Sequence, residues 1–344
     1  ADEQEWCKAC TGYNVRRRGS RNCHCSRKNL GDSMSRTIEK VAVIGSGVMG
    51  AGIAAHCANA GCEVLLLDIV SKDEQDRSSL ARNAIQMMHK SNPEMLMHKR
   101  NARRIKPGNI EDDLEQLRDF DWVVEVIIEN LEIKRNLYSK LSKHIGPNTI
   151  LSSNTSTLPR TELIAELPAE VASRFLITHF FNPPRYLPLL EVVTSPEVDE
   201  DIVQRFCRFA DLKLGKRVTM CNDRPGFIGN RLGIYFIQRA FKATLDHGLS
   251  VEQADAMLGR PIGLPKTAVF ALMDLVGIDL IPHVTQSLLS HLPDEDPFHQ
   301  IAGVGEDIVL SMIEEGYTGR KGKGGFYRLN RESGKKVKEA RDLS

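Results

Sequence analysis

Ile38-Glu39-Lys40-Val41-Ala42-Val43-Ile44-Gly45-Ser46-Gly47-Val48-Met49-Gly50 opens on a β-branched, alternating run and closes on three spaced glycines. Residues 38–44 predict a buried strand. Residues 51–60 carry helix-forming spacing, Gly61 ends them, and residues 62–68 (Cys-Glu-Val-Leu-Leu-Leu-Asp) predict a second strand. Each glycine has a separate use. Gly45 lets the chain turn off the strand, Gly47 lets backbone approach a ligand, and Gly50 allows the helix to pack closely on the strand. The helix N-terminus then presents N–H groups and the positive end of its dipole, which suits a pyrophosphate. Gly45, Gly47, Val48, Met49 and Gly50 are therefore the candidate cradle. Asp68 lies 23 residues after Gly45. A carboxylate there accepts from ribose hydroxyls and repels a 2′-phosphate, so NAD is expected over NADP. Glycines alone would fit many α/β loops. Strand, turn, helix, strand and acid in this order predict a Rossmann-type, doubly wound α/β fold.

Outward from this unit, residues 74–90 predict a helix that Asn92-Pro93 breaks. Lys90, Lys99, Arg100, Arg103, Arg104 and Lys106 follow and read as a solvated helical face. Residues 122–128 predict a strand leading into Glu129-Asn130, then a helix over 131–144 and a short strand over 149–152. Ser153-Asn154-Thr155-Ser156 falls at that strand's carboxyl end, the edge where ligands bind in such sheets. Residues 174–178 predict a strand running into His179-Phe180-Phe181-Asn182-Pro183-Pro184, and residues 187–193 are the next apolar run. Glu191 lies inside that run, where a carboxylate is costly without a partner. A hairpin would set it beside His179, twelve residues earlier, as an orienting carboxylate beside a base. Taken singly, each residue also fits a structural histidine or a salt-bridged glutamate. Residues 216–219 predict a last strand, and Asp223-Arg224-Pro225-Gly226 a boundary. Beyond it the pattern is helical over 228–247, 251–257, 265–275, 277–292 and a segment ending near 315. Residues 316–327 are glycine-rich and basic, without the strand or Lys-Ser/Thr ending of a P-loop, and read as a structural turn, with contact to CoA phosphates as the alternative.

In combination, residues 45–50, Glu129-Asn130-Leu131 with Lys134, residues 153–156, His179 to Pro183, Leu190-Glu191-Val192-Val193 and Arg224-Pro225-Gly226-Phe227-Ile228-Gly229-Asn230-Arg231 resemble the 3-hydroxyacyl-CoA dehydrogenase family. The resemblance runs from Met34 to about Asn330 and is nearest to the dehydrogenase part of bifunctional dehydrogenase/enoyl-CoA hydratase proteins. It implies that His179 is the catalytic base and Glu191 its partner. Ser156 and Asn230 are implied to hydrogen-bond the reacting oxygen, Glu129 and Lys134 to line the nicotinamide side, and Asn182 to lie near the acyl thioester. It implies an acyl-CoA substrate and fatty-acid β-oxidation as the setting. The apolar stripes of the helical domain should leave some face over for a partner subunit, so a homodimer through that domain is expected. The basic cluster at 90–106 would, on a sharper reading, meet CoA phosphates. Two other readings stay open: another two-domain NAD-dependent hydroxy-acid dehydrogenase, and a non-catalytic relative of the lens-crystallin kind.

Composition bounds the rest. A chain of 344 residues has room for two domains. The formal net charge is +1, so nothing in the overall charge points to nucleic acid or membrane. Residues 41–62 form the longest stretch without a formal charge, but their glycines, His56 and Asn59 suit strand, turn and helix better than a membrane span. The expected setting is cytoplasmic or an organelle matrix, with Cys57, Cys62, Cys207 and Cys221 as reduced, buried thiols. Residues 1–33 read as a disordered or artefactual extension. Cys7, Cys10, Cys23, His24 and Cys25 offer a zinc alternative, and five arginines offer a transit-peptide one; no metal is expected. The expected division is 1–33 extension, 36–223 NAD-binding domain, 224–330 helical domain and 331–344 tail.

Overall fold

The computed structural model describes residues 37–72, 75–330 and 337–343, so the readings made for residues 1–33 lie outside it. The chain separates into two compact units. Among the described residues, one holds those up to Thr155 together with Arg160–Asn222; the other holds Ser156–Pro159 and those from Asp223 onward.

The first unit is built on an eight-stranded sheet. Its strands are β1 (Lys40–Ile44), β2 (Glu63–Asp68), β3 (Ile105–Asn109), β4 (Trp122–Glu125), β5 (Ile150–Ser153), β6 (Phe175–Phe180), β7 (Leu189–Val193) and β8 (Arg217–Cys221). The spatial order is β3-β2-β1-β4-β5-β6-β7-β8. Strands β1 to β6 are parallel, β7 pairs antiparallel with β6, and β8 follows β7. The chain builds outward from β1 in one direction and resumes at β4 in the other. The crevice at the carboxyl ends of β1 and β4 is thus a topological switch point, the place where ligands enter such sheets.

Helices α1 (Val48–Asn59), α2 (Ser79–Met88), α3 (Leu131–Leu141) and α6 (Glu200–Leu212), with the one-turn α4 (Arg160–Leu163) and α5 (Ala169–Ala172), complete the first unit. The four residues Val41–Ile44 of β1 are buried, as a strand covered on both faces requires. Trp122 lies at the core, with Phe180, Phe206 and Phe209 around its ring at centroid distances of 6.3, 5.1 and 5.9 Å. Its Nε1 donates to Ser152 Oγ at 2.8 Å, which satisfies the one polar atom it buries.

Two differences from the sequence reading concern this unit. Lys99–Arg104 is a 3₁₀ turn rather than an α-helical face, and β3 follows directly. That strand carries Pro107 and Gly108 and survives because it is the sheet edge, where a missing ladder donor costs little. The predicted strand over 122–128 ends earlier, at Glu125.

The second unit is helical: α7 (Gly229–Asp246), α8 (Val251–Met257), α9 (Phe270–Val276), α10 (Leu280–His291) and α11 (Glu306–Glu314). Phe241, Phe270 and Phe326 meet edge to face at its core, 4.9–5.7 Å between centroids. Ser250 and Gln253 close a capping box on α8. The Asp255 carboxylate accepts from Val269, Phe270 and Ala271 N–H at 2.8–3.0 Å and so starts α9. The glycine-rich stretch is tied to α9, since Arg320 N–H donates to Asp274 O and Phe326 N–H to Asp274 Oδ1. A purely helical reading leaves out a closing ribbon. β9 (Tyr327–Asn330) pairs antiparallel with β10 (Val337–Ala340), four residues of the stretch read as a tail. Among the described residues no helix is long and apolar enough to cross a membrane.

Candidate active site

The glycine turn lies at the carboxyl end of β1. Gly45 has φ +108°, and a Cβ there would lie 2.4 Å from the carbonyl oxygen of Val126, just past β4. A Cβ on Gly50 would lie 1.9 Å from Gly45 O. These two glycines let the strand exits and α1 close on one another. Gly47 differs, because a Cβ there would meet nothing within 4 Å. It is the N-cap of α1 and has no side-chain capping bond, so the helix presents its first N–H groups beside open space. Val48 is 66% exposed, and Ile69 and Ile128, which follow β2 and β4, are also exposed. An open glycine, a bare helix N-terminus and three apolar side chains along one sheet edge fit a dinucleotide.

Asp68 ends β2. Its Oδ2 accepts from Ser46 N–H and Ser46 Oγ–H at 2.6 and 2.5 Å, and its Oδ1 from Ile69 N–H at 2.7 Å. The carboxylate is thus fixed against the glycine turn. A 2′-phosphate beside it would meet like charge.

Beyond β4 the chain builds a polar network that the sequence reading gave only in part. Lys134, on α3, is 1% exposed. Its Nζ lies 3.3 Å from Glu129 Oε2 and 2.6 Å from Glu125 Oε1. Glu125 is wholly buried and also accepts from Tyr138 OH, Ser153 Oγ and Ile127 N–H at 2.5–2.7 Å. Burial pushes the Tyr138 hydroxyl well above its ordinary pKa, with the Glu125 charge adding to the effect, so it remains a donor. Thr155 Oγ1 donates to Glu129 at 2.5 Å. Glu125 and Tyr138 were not singled out from the sequence, and Ser153 and Thr155 only as part of the stretch at the carboxyl end of β5. For Glu125 the signal was present: an acid inside Trp-Val-Val-Glu-Val-Ile-Ile, the same pattern that exposes Glu191.

His179 and Glu191 are register partners across the β6–β7 pair. The His179 Nδ1 to Glu191 Oε2 distance is 2.8 Å; His179 is 6% exposed and Glu191 wholly buried. A carboxylate at Nδ1 assigns the ring proton to that nitrogen in the neutral imidazole, which leaves Nε2 as the basic atom. The Phe181 ring lies 4.5 Å from the imidazole, centroid to centroid. Asn154 Oδ1 accepts from Phe180 N–H at 2.9 Å and holds the end of β6 to the end of β5. Asn182 is exposed at the start of the β6–β7 connection. That connection is anchored by the buried Lys216, whose Nζ donates to Pro184 O and to Leu187 O.

Ser156 and Asn230 belong to the second unit, and Asn230 Nδ2 donates to Ser156 O at 3.3 Å. Asn230 is in the first turn of α7. The turn before it is shaped by Gly226, at φ +72°, and by Phe227, a non-glycine residue at φ +48°. The Ser156 hydroxyl and the Asn230 amide can each donate and accept hydrogen bonds.

Comparison with known proteins agrees with this architecture. Residues 40–224 match the 3-hydroxyacyl-CoA dehydrogenase NAD binding domain, and residues 226–329 match the C-terminal domain of the same family. A Rickettsia felis protein named as a fatty acid oxidation complex trifunctional enzyme is 43% identical over 311 residues, which are 90% of this chain and 43% of that protein. The chain therefore spans less than half the length of that relative. A Deinococcus radiodurans protein named as a 3-hydroxyacyl-CoA dehydrogenase is 42% identical over 295 residues, 86% of this chain and 84% of that one. The crystal structure of 3-hydroxybutyryl-CoA dehydrogenase from Escherichia coli superposes with a TM-score of 0.69 at 30% identity, covering 83% of this chain and 58% of that one. The two domain matches, in succession along most of its length, make this chain a member of the 3-hydroxyacyl-CoA dehydrogenase family.

Proposed function

We propose that the chain oxidises (S)-3-hydroxyacyl-CoA to 3-ketoacyl-CoA, as a step of fatty-acid β-oxidation. The observation that carries the reading is the buried His179–Glu191 pair, 2.8 Å apart, in a sheet whose carboxyl edge also carries the glycine cradle. His179 Nε2 takes the proton of the substrate 3-hydroxyl. Glu191 holds the imidazole in the tautomer that leaves Nε2 free to accept, and its charge stabilises the imidazolium that forms. Ser156 and Asn230 hydrogen-bond the substrate oxygen as its charge changes, a role that their motif positions support. Asn182 is assigned to the thioester end of the substrate on the same grounds. NAD, when bound, supplies the hydride acceptor, held by Gly45, Gly47, Val48, Met49, Gly50 and Asp68 with Glu129 and Lys134 at its nicotinamide end.

The same reading takes a second copy of the chain as partner. Leu232, Met257, Leu275, Val276 and Leu280, all exposed in the helical unit, support it. The free thiols of Cys57, Cys62 and Cys221, all buried, and of Cys207, which is only partly buried where burial was expected, support a reducing compartment such as the cytoplasm.

The deciding measurement is NADH oxidation by the purified chain with acetoacetyl-CoA. Turnover that depends on the CoA thioester is expected. Binding of NADH without any turnover would overturn the proposal in favour of a non-catalytic relative.

A further inference from the structure

In Glu125, Lys134 and Glu129 one ammonium faces two carboxylates, at 2.6 and 3.3 Å, so the formal charge of the three side chains together is negative. The two inner members of this triad are buried, and only Glu129 reaches the surface. Tyr138, Ser153 and the Ile127 N–H bind Glu125, and Thr155 binds Glu129, so both carboxylates are fixed in direction. A charge in such a place is weakly screened.

The triad also has a definite address. The glycine turn and Asp68 lie on the β1–β2 side of the switch point, where the NAD-dependent reading puts the pyrophosphate, beside the open Gly47, and the adenine ribose. The other half of a dinucleotide then falls on the side of β4 and β5, where Glu125 and Ser153 end their strands. Oxidised nicotinamide is a cation and the reduced ring is neutral, so a net negative triad acts on one redox form only.

We propose that Glu125 is a positioning residue that fixes this triad beside the nicotinamide half of the cofactor site and strengthens binding of the oxidised dinucleotide relative to the reduced one. The inference rests on the NAD-dependent reading above. Glu125 touches neither substrate nor cofactor; it acts through Lys134 and Glu129. Glu125→Gln keeps the shape of the side chain and one accepting oxygen, so two of the four donors that face Glu125 keep their acceptor, and it removes one negative charge from the triad. Glu129→Gln makes the same change of charge at a partly exposed position, where the fold is not at risk.

The test is calorimetric titration of the full chain and both variants with NAD, NADH and ADP-ribose. The Kd for NAD is expected to rise about ten-fold relative to that for NADH in each variant, the scale of one charge removed near a partly buried site. ADP-ribose, which lacks the nicotinamide, should bind all three proteins equally. A structural role alone would weaken NAD and NADH by the same factor, and that result would overturn the proposal. If Glu125→Gln does not fold, Glu129→Gln decides by the same ratio. Failure of the unsubstituted chain to bind any of the three ligands would instead overturn the cofactor reading on which the proposal stands.

Discussion

His179 and Glu191 are each poor candidates for burial, and each is tolerated because of the other. A buried carboxylate without a partner costs several kcal/mol, and a neutral imidazole offers one donor with which to answer it. The 2.8 Å contact uses that donor and leaves Nε2 for chemistry. His179→Ala should therefore lower turnover by about two to four orders of magnitude. The affinity for NAD should be unchanged, because the cradle residues lie on β1, α1 and β2. Glu191→Gln should lower turnover with the fold intact, and the double variant should be little worse than His179→Ala, since the two act as one unit. Steady-state kinetics and NAD titration of the three variants check this, and near-normal turnover in His179→Ala would move the base to another residue. The pair was legible in the sequence because an acid inside Leu-Leu-Glu-Val-Val has to be explained. Glu125 poses the same question inside its own apolar strand, but its answers come from residues 127, 134, 138 and 153, a spacing no local pattern reveals.

Elements were legible where one physical cause dominates. The β1–α1–β2 unit follows from strand alternation and three glycines, and its helix begins within a turn of where the sequence places it. β3 was not legible, because Ile105-Lys-Pro-Gly-Asn lacks alternation and contains both residues that interrupt strands. It forms because β2 offers an open edge, which is a tertiary cause. β9 and β10 are short and largely polar, and only their pairing makes them strands. Within the cradle the three glycines should separate by experiment. Gly50→Ala places a methyl 1.9 Å from Gly45 O, so either the turn or α1 must move, and stability should fall by about 1–3 kcal/mol. Gly47→Ala meets no protein atom and adopts an ordinary backbone conformation. It should leave the unfolding midpoint nearly unchanged while weakening NAD about ten- to a hundred-fold, the worth of one or two hydrogen bonds to a charged group. Urea melts and NAD titrations of both variants give the comparison. Equal loss of stability in the two would remove the distinction between packing and ligand-facing glycines.

At the scale of the molecule, the two units have separate apolar cores, and only contacts distant in sequence reveal that Ser156–Pro159 groups with the second. No local pattern in residues 153–159 marks that change of allegiance. The first unit also carries a pH dependence of its own. His56 lies on α1, the helix of the glycine cradle, and its Nε2 is 2.9 Å from Leu214 O, beyond α6. Burial lowers its pKa from 6.5 to about 4, and the nearby Lys216 and Arg185 charges act in the same direction, against the Leu214 hydrogen bond. The folded state therefore holds His56 neutral where the unfolded chain already binds a proton. In that window the unfolded state carries more protons, so stability rises with pH. The contribution is complete above pH 6.5 and is lost progressively as pH falls from 6.5 through 4. Asp76, Asp112 and Glu197, whose pKa values are lowered chiefly by side-chain hydrogen bonds from Arg82, Arg77 and Ser195 respectively, act lower, below the ordinary carboxylate range. The upper part of the window thus belongs to His56. Urea melts followed by the fluorescence of buried Trp122 should show stability of the first unit declining from pH 6.5 downward. His56→Gln, which can still donate to Leu214 O but does not titrate, should flatten that decline and leave stability at neutral pH similar. An unchanged slope in the variant would assign the acid sensitivity to other groups.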